Sequence, residues 1–201
     1  LEVKRAEQTM HQMKMIKTFS VVFLLIVVYI SLFLLNDYFF SSYAFSSGVD
    51  WVYLPSGLRL VFVLVFINLG ALSVGLSTLV IGYFYFFDGN LVTIVGAGFI
   101  SGFAPWCARK ICIQKYKMDP NLRDLSASAL LKIALVFSVV SPVMHQLWLT
   151  WRGETESFVQ STLVMAIGDL LGTLLVLYFI KFLMSGVSGL THKPYNKSWF
   201  N

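Results

Sequence analysis

Apolar positions in this chain come in long stretches separated by short polar ones. A run of ~18 or more apolar residues is long enough to cross a bilayer as a helix. The first such run, FSVVFLLIVVYISLFLL, predicts a helix over 18–35. The next apolar tract, 54–87, is too long for one helix and is punctuated by Gly70, Gly75 and Gly82. A break near 68–74 divides it into helices over 55–69 and 71–87. Pro55 suits a first helical turn, where its missing N–H has no partner to lose. Asp88-Gly89-Asn90 then signals a turn. Further helices are expected over 91–108, 126–148 and 159–183, with Pro142 as a kink in the fifth. Between them lie two polar loops, ARKICIQKYKMDPNLRD, with a turn at Asp119-Pro120, and TWRGETES.

This pattern predicts an all-α integral membrane protein, about six transmembrane helices in one bundle. Composition agrees. Charged residues make up 12% of the chain and mean hydropathy is +0.75, whereas soluble domains carry about 25% charged residues. The organisation expected is a basic cytoplasmic leader (1–17), the bundle (18–183) and a polar cytoplasmic tail (184–201). The first apolar run is too long for a signal-peptide core and has no clear cleavage site after it, so it reads as a retained helix.

Charge sets the orientation. The net charge is +5, but the basic residues gather in short segments, as in cytoplasmic loops, rather than in a nucleic-acid footprint. Lys4, Arg5, Lys14 and Lys17 precede the first helix, and none follows it before Arg59. Arg109, Lys110, Lys115, Lys117 and Arg123 follow the fourth. Arg152 after the fifth is offset by Glu154 and Glu156, and Lys181, Lys193 and Lys197 close the chain. Six crossings put both termini and every strongly basic segment in the cytoplasm. Four crossings also satisfy the charges; the length of the largely apolar tract 54–108 favours six. Tyr and Trp in NDYFFSSYAFSSGVDWVY suit the opposite interface.

One acid stands inside an apolar run: Asp169, in VMAIGDLLGTLLVLYFIK. A carboxylate at that depth costs several kcal/mol unless it is protonated or partnered, so it faces the bundle interior. Gly168 and Gly172 form a small-xxx-small pair that admits another backbone, and Gly98 and Gly102 form a second. Both pairs are expected to pack helices. The remaining intramembrane polar groups are few: Arg59, Asn68, Lys132, His145 and Gln146. Lys132 is expected to snorkel to the cytoplasmic face. Asn68 is expected deeper, near the break. Arg59, His145 and Asp169 together are candidates for a ligand or proton site in the outer half, with Asn68 a further candidate; a His–carboxylate pair titrates near physiological pH. The competing reading is structural: Asp169 joins helices, His145 sits at the interface and Arg59 snorkels. Cys107 and Cys112 read as reduced thiols. No phosphate loop, Ser-His-Asp set or paired His motif occurs, so no catalytic residue, metal or cofactor is assigned.

Three stretches carry a resemblance. DWVYLPSGLRLVFVLVF resembles the helix opening of the bacterial membrane-associated sensor domain of the first type, with its W-x-P-[AS]-G pattern. MAIGDLLGTLLVLYFIK is similar to that family's GD-x-LG helix, and GAGFISGFAPWCARKI to its small-residue helix before a basic loop. The likeness runs over about 51–181, and Pro55, Gly57, Gly168, Asp169 and Gly172 fall on the family's motif positions. The family has about eight helices, and Leu58-Arg59 stands where it usually has small apolar residues. The resemblance implies a non-enzymatic sensor in the bacterial inner membrane. With no output domain in sight, the resemblance implies action through a separate partner protein. Two rival readings stand beside it. One is an accessory subunit of a larger membrane complex. The other is a small transporter or channel component with Asp169 in a proton or ion path. The lipid bilayer, another membrane protein and a small ligand are the expected contacts, and nucleic acid is not.

Overall fold

The computed structural model describes residues 2–119, 126–155 and 157–190. It is about 86% helical, which settles the all-α class. The helices are α1 (Glu2–Phe40), α2 (Pro55–Phe66), α3 (Asn68–Ile81), α4 (Leu91–Tyr116), α5 (Ala127–Arg152) and α6 (Phe158–Leu190). A small antiparallel hairpin, β1 (Ala44–Ser46) and β2 (Val49–Asp50), lies between α1 and α2. A π-helical turn, Gly82–Phe86, continues α3, and with it five helices, all but α2, are long and apolar enough to cross a membrane: the chain is a multi-pass membrane protein. At 12 residues, α2 reaches only ~18 Å, short of a ~30 Å hydrocarbon core.

The boundaries differ from expectation in four places, each for a physical reason. The first helix, expected from 18, begins at Glu2, so the basic residues before 18 are helical. The stretch 108–116, expected as loop, is the last part of α4; its Lys, Arg, Gln and Ile residues are compatible with a helix that outruns the bilayer. Likewise α6 continues past 183 to Leu190. The break between α2 and α3 falls at Ile67, with φ 48°, rather than among the glycines. Gly70 serves the packing instead. A Cβ there would strike the Phe62 carbonyl, so the glycine lets α3 fold tightly back along α2. The Pro120 and Arg123 part of the expected loop, and Lys193 and Lys197 of the tail, lie outside the described residues.

Local signals explain the remaining ends. Asn90 caps α4 by accepting from the Thr93 N–H, and Ser126 caps α5 by accepting from Ala129 N–H. Gly153, at φ 76°, closes α5. Pro142 is buried within α5, which remains helical on both sides of it.

The C-terminal part of α1 meets the π-helical turn that continues α3. Phe33 packs edge-on to Tyr85 and Phe86, and Ser47 Oγ donates to the Phe86 carbonyl at 3.3 Å. The two helices therefore run the same way, and the hairpin, residues 51–54 and α2 together carry the chain back between them. On the other side of α3, Gly98 and Gly102 of α4 abut Gly75 and Ala71, so this pair does pack helices as expected.

Candidate functional site

The centre of the bundle is polar. Asp169 is fully buried, with Arg59, Ser141, His145, Ser56 and Thr173 also buried. The sequence explains how they converge. Gly168 and Gly172 were expected to admit a facing helix; what they admit is the chain from Asp50 at the end of β2 to Tyr53 before α2. A Cβ on Gly168 would strike the Asp50 carbonyl, and one on Gly172 the Tyr53 carbonyl. Tyr53 N–H donates to the Gly168 carbonyl at 3.2 Å. That contact delivers the start of α2 into the interior beside Asp169. Buried Asn36 of α1 holds the same corner by accepting from Leu54 N–H at 2.9 Å.

Ser56 is the join. Its Oγ lies 2.7 Å from the Tyr53 carbonyl and 2.8 Å from the Asp169 carbonyl, one proton being shared between them, and 3.2 Å from Thr173 Oγ1. These bonds fix the α6 backbone. They do not reach the Asp169 side chain: no hydrogen bond of ordinary length and angle meets either buried carboxylate oxygen. Arg59 is its counter-charge, and the Ser141 hydroxyl stands beside it as a weak hydrogen-bonding neighbour.

Arg59 has turned inward rather than snorkelling. Nε donates to Tyr29 Oη at 2.9 Å, one terminal nitrogen lies 3.5 Å from Ser141 Oγ, and the guanidinium sits 4.9 Å from the centre of the Tyr53 ring. One side chain thus ties α1, α2 and α5 together. A guanidinium over an aromatic face with directed N–H bonds is a stable way to keep this charge buried.

His145 shares the neighbourhood, but the expected His–carboxylate pair does not form. Its Nδ1 is 2.9 Å from the Ser141 carbonyl and Nε2 is 3.1 Å from Ser101 Oγ. The Ala97 carbonyl also hydrogen-bonds the ring; carbonyls only accept, so the imidazole donates to these backbone oxygens. Both ring nitrogens are engaged. Gln146 is engaged too: it accepts from Thr155 at 2.9 Å and approaches the Met165 sulfur. Asn68 lies beside the break, as expected, but does not join the polar centre. It is exposed at the start of α3, on the surface of the α3–α4 pair and away from Asp169. Lys132 is exposed, with Nζ 5.7 Å from the Tyr116 ring centre.

An acidic mouth adjoins the centre. A half-open cavity of about 180 Å³ is lined by Asn36, Asp37, Ser46, Ser47 and Asp50 among others. Burial, first, and then the Asp37 and Asp169 carboxylates push the Asp50 carboxyl up to about 6. Acidic groups thus run from this cavity toward the buried centre.

Several of these residues escaped sequence reading. Ser141, which touches both Arg59 and His145, is one serine among many in a helix. Tyr29 left a fainter signal as the sole tyrosine of the first apolar run. Asp50 was legible only as a loop acid, because nothing local shows that its segment folds inward. Among the described residues no group of three or more His, Cys, Asp or Glu is arranged to hold a metal; Cys107 and Cys112 are free thiols. No family model, curated protein or solved structure matches this chain.

Proposed function

We propose that this chain is a non-enzymatic sensor-type protein of the bacterial inner membrane, which holds a small ligand at Asp169 and acts through a separate partner protein. One observation carries the reading: the Asp169 carboxylate is wholly buried, faces Arg59, and neither oxygen receives a hydrogen bond of ordinary geometry, with only the Ser141 hydroxyl as a weak donor beside it. Structural carboxylates in apolar surroundings are normally bonded, because an unsatisfied one costs several kcal/mol. A ligand bearing N–H or ammonium donors supplies what the protein leaves out. The acidic cavity at Asp37 and Asp50 supports a cationic or amine-bearing ligand arriving from that side.

The resemblance of the 51–57 and 164–181 segments to the sensor family supports the same reading, since those two segments meet here. The membrane arrangement proposed has six crossings. Residues 51–54 with α2 form the second, a broken one of the kind that lines binding sites in other membrane proteins. Both termini and the basic end of α4 then lie in the cytoplasm.

The test is thermal unfolding of the purified full chain across a panel of small amines, amino acids and amidines. A ligand that raises the midpoint in the wild type and fails to in Asp169→Asn supports the site. A response that survives Asp169→Asn rejects it, as does a panel with no response.

A second reading, an accessory subunit, is favoured by α1. Its most apolar window is only 17% buried within the chain, the least of the five long helices, and it presents Phe19, Phe23 and Leu24 outward. This reading predicts a stoichiometric membrane partner after gentle purification; a chain that elutes alone removes it.

A further inference from the structure

The α3–α4 surface carries a groove of about 470 Å³, almost wholly apolar. Its floor is Gly75, Gly98 and Gly102, where the two backbones approach. One wall is a stacked ladder on α4. Phe99 and Phe103 lie 5.3 Å apart at 21°, and Phe103 and Trp106 lie 5.6 Å apart at 21°. The ladder ends in a cation: Lys110 Nζ stands 5.0 Å from the centre of the Trp106 ring. Spacings of 4, 3 and 4 residues keep Phe99, Phe103, Trp106 and Lys110 on one helix face.

Size and charge identify the occupant. The groove runs along α3 from Asn68 to Leu79, ~16 Å at 1.5 Å per residue. Half of a ~30 Å hydrocarbon core is ~15 Å, the reach of one acyl chain in one leaflet. A smooth apolar slot of that length, closed at one end by an exposed lysine held on an indole face, matches an amphiphile with an anionic head. We propose that this groove is a binding site for an anionic glycerophospholipid of the leaflet at the basic end of α4, its acyl chain along the aromatic ladder and its phosphate at Lys110. Zwitterionic lipid fills the slot equally well but gains less from the lysine. A lysine near a membrane surface attracts anionic lipid enough for about a five-fold preference.

The test uses the full chain, purified in delipidating detergent and returned to mixed micelles of phosphatidylglycerol or phosphatidylcholine of matched chains. Retained lipid is counted by native mass spectrometry. The wild type is expected to keep phosphatidylglycerol about five-fold better. Lys110→Gln, an exposed substitution that leaves the fold alone, should abolish the preference while keeping lipid in the groove. Lys115→Gln, five residues on and ~140° round the helix, should leave the preference intact. Leu76→Trp, which fills the slot, should lower retention of both lipids. Equal retention by the wild type overturns the proposal. So does a preference untouched by Lys110→Gln, or one lost equally in Lys115→Gln, which would mean diffuse charge and no site. A dimer that Leu76→Trp converts to monomer also overturns it, because a second copy would then occupy the groove.

Discussion

Ser56 Oγ lies 2.8 Å from the Asp169 carbonyl oxygen, while the carboxylate of the same Asp169 receives no hydrogen bond of ordinary geometry. The backbone of α6 is anchored at this residue and its side chain is left over. Ser56→Ala therefore removes the hydroxyl that serves the Tyr53 and Asp169 carbonyls inside a buried site. The expected loss is about 1–3 kcal/mol. Chemical unfolding in detergent measures it; an unchanged midpoint would show that the carbonyls find other donors.

Arg59 and Asp169 should respond unequally to removal. Arg59 has Tyr29, Ser141 and the Tyr53 face as partners, whereas Asp169 has chiefly the field of Arg59. Arg59→Leu breaks its contacts to Tyr29, Ser141 and the Tyr53 ring and leaves a buried carboxylate without its counter-charge, a loss of about 3–5 kcal/mol. Asp169→Asn should cost less, and the double variant should be more stable than the sum of the singles predicts. A double-mutant cycle with no coupling would place the two groups outside each other's influence.

Gly168→Ala and Gly172→Ala should each destabilise strongly, by about 1–3 kcal/mol or more. The added methyl meets backbone carbonyls, of Asp50 and Tyr53, and a carbonyl in a packed loop cannot rotate away as a side-chain tip can. Gly153→Ala is the informative contrast. Nothing lies within 4 Å of its added methyl, so its cost should be only the ~1 kcal/mol of an L-residue at φ 76°. Expression level and unfolding midpoint of the three variants rank them.

Asp50 gives the protein a pH dependence with a definite sign. Its carboxyl is pushed from the usual 3.8 up to about 6, so the folded chain holds a proton that the unfolded chain has released. Stability should therefore fall as pH rises from about 4 through about 6 and then level off. The groups that raise it are burial first, then Asp37 and Asp169. Asp50→Asn should flatten the slope, and Asp37→Asn should move it to lower pH. Unfolding midpoints between pH 4 and 7 decide the matter; a slope that persists in Asp50→Asn belongs to another group.

The sequence by itself determined the solvent, the helical class and most of the helices. Apolar runs longer than a bilayer crossing admit few other structures, since every backbone N–H and C=O must be bonded internally. It also determined that Asp169 points inward, because a carboxylate facing lipid is too costly. What only the tertiary structure decided is what meets Asp169. Gly168 and Gly172 announce that some backbone comes close, but a missing Cβ is equally compatible with a helix or a non-helical segment, and here it is the segment from Asp50 to Tyr53. The inward turn of Arg59 was open for the same kind of reason. A long cationic side chain near a helix end reaches water or the core with equal ease, and the choice was made by Tyr29 and Ser141, 30 and 82 residues away in the chain. Likewise Asn68 is polar in an apolar tract, yet the strained turn at Ile67 leaves it on the surface. Local pattern fixes what a residue costs to bury; only the packing of distant segments fixes which partner offsets that cost.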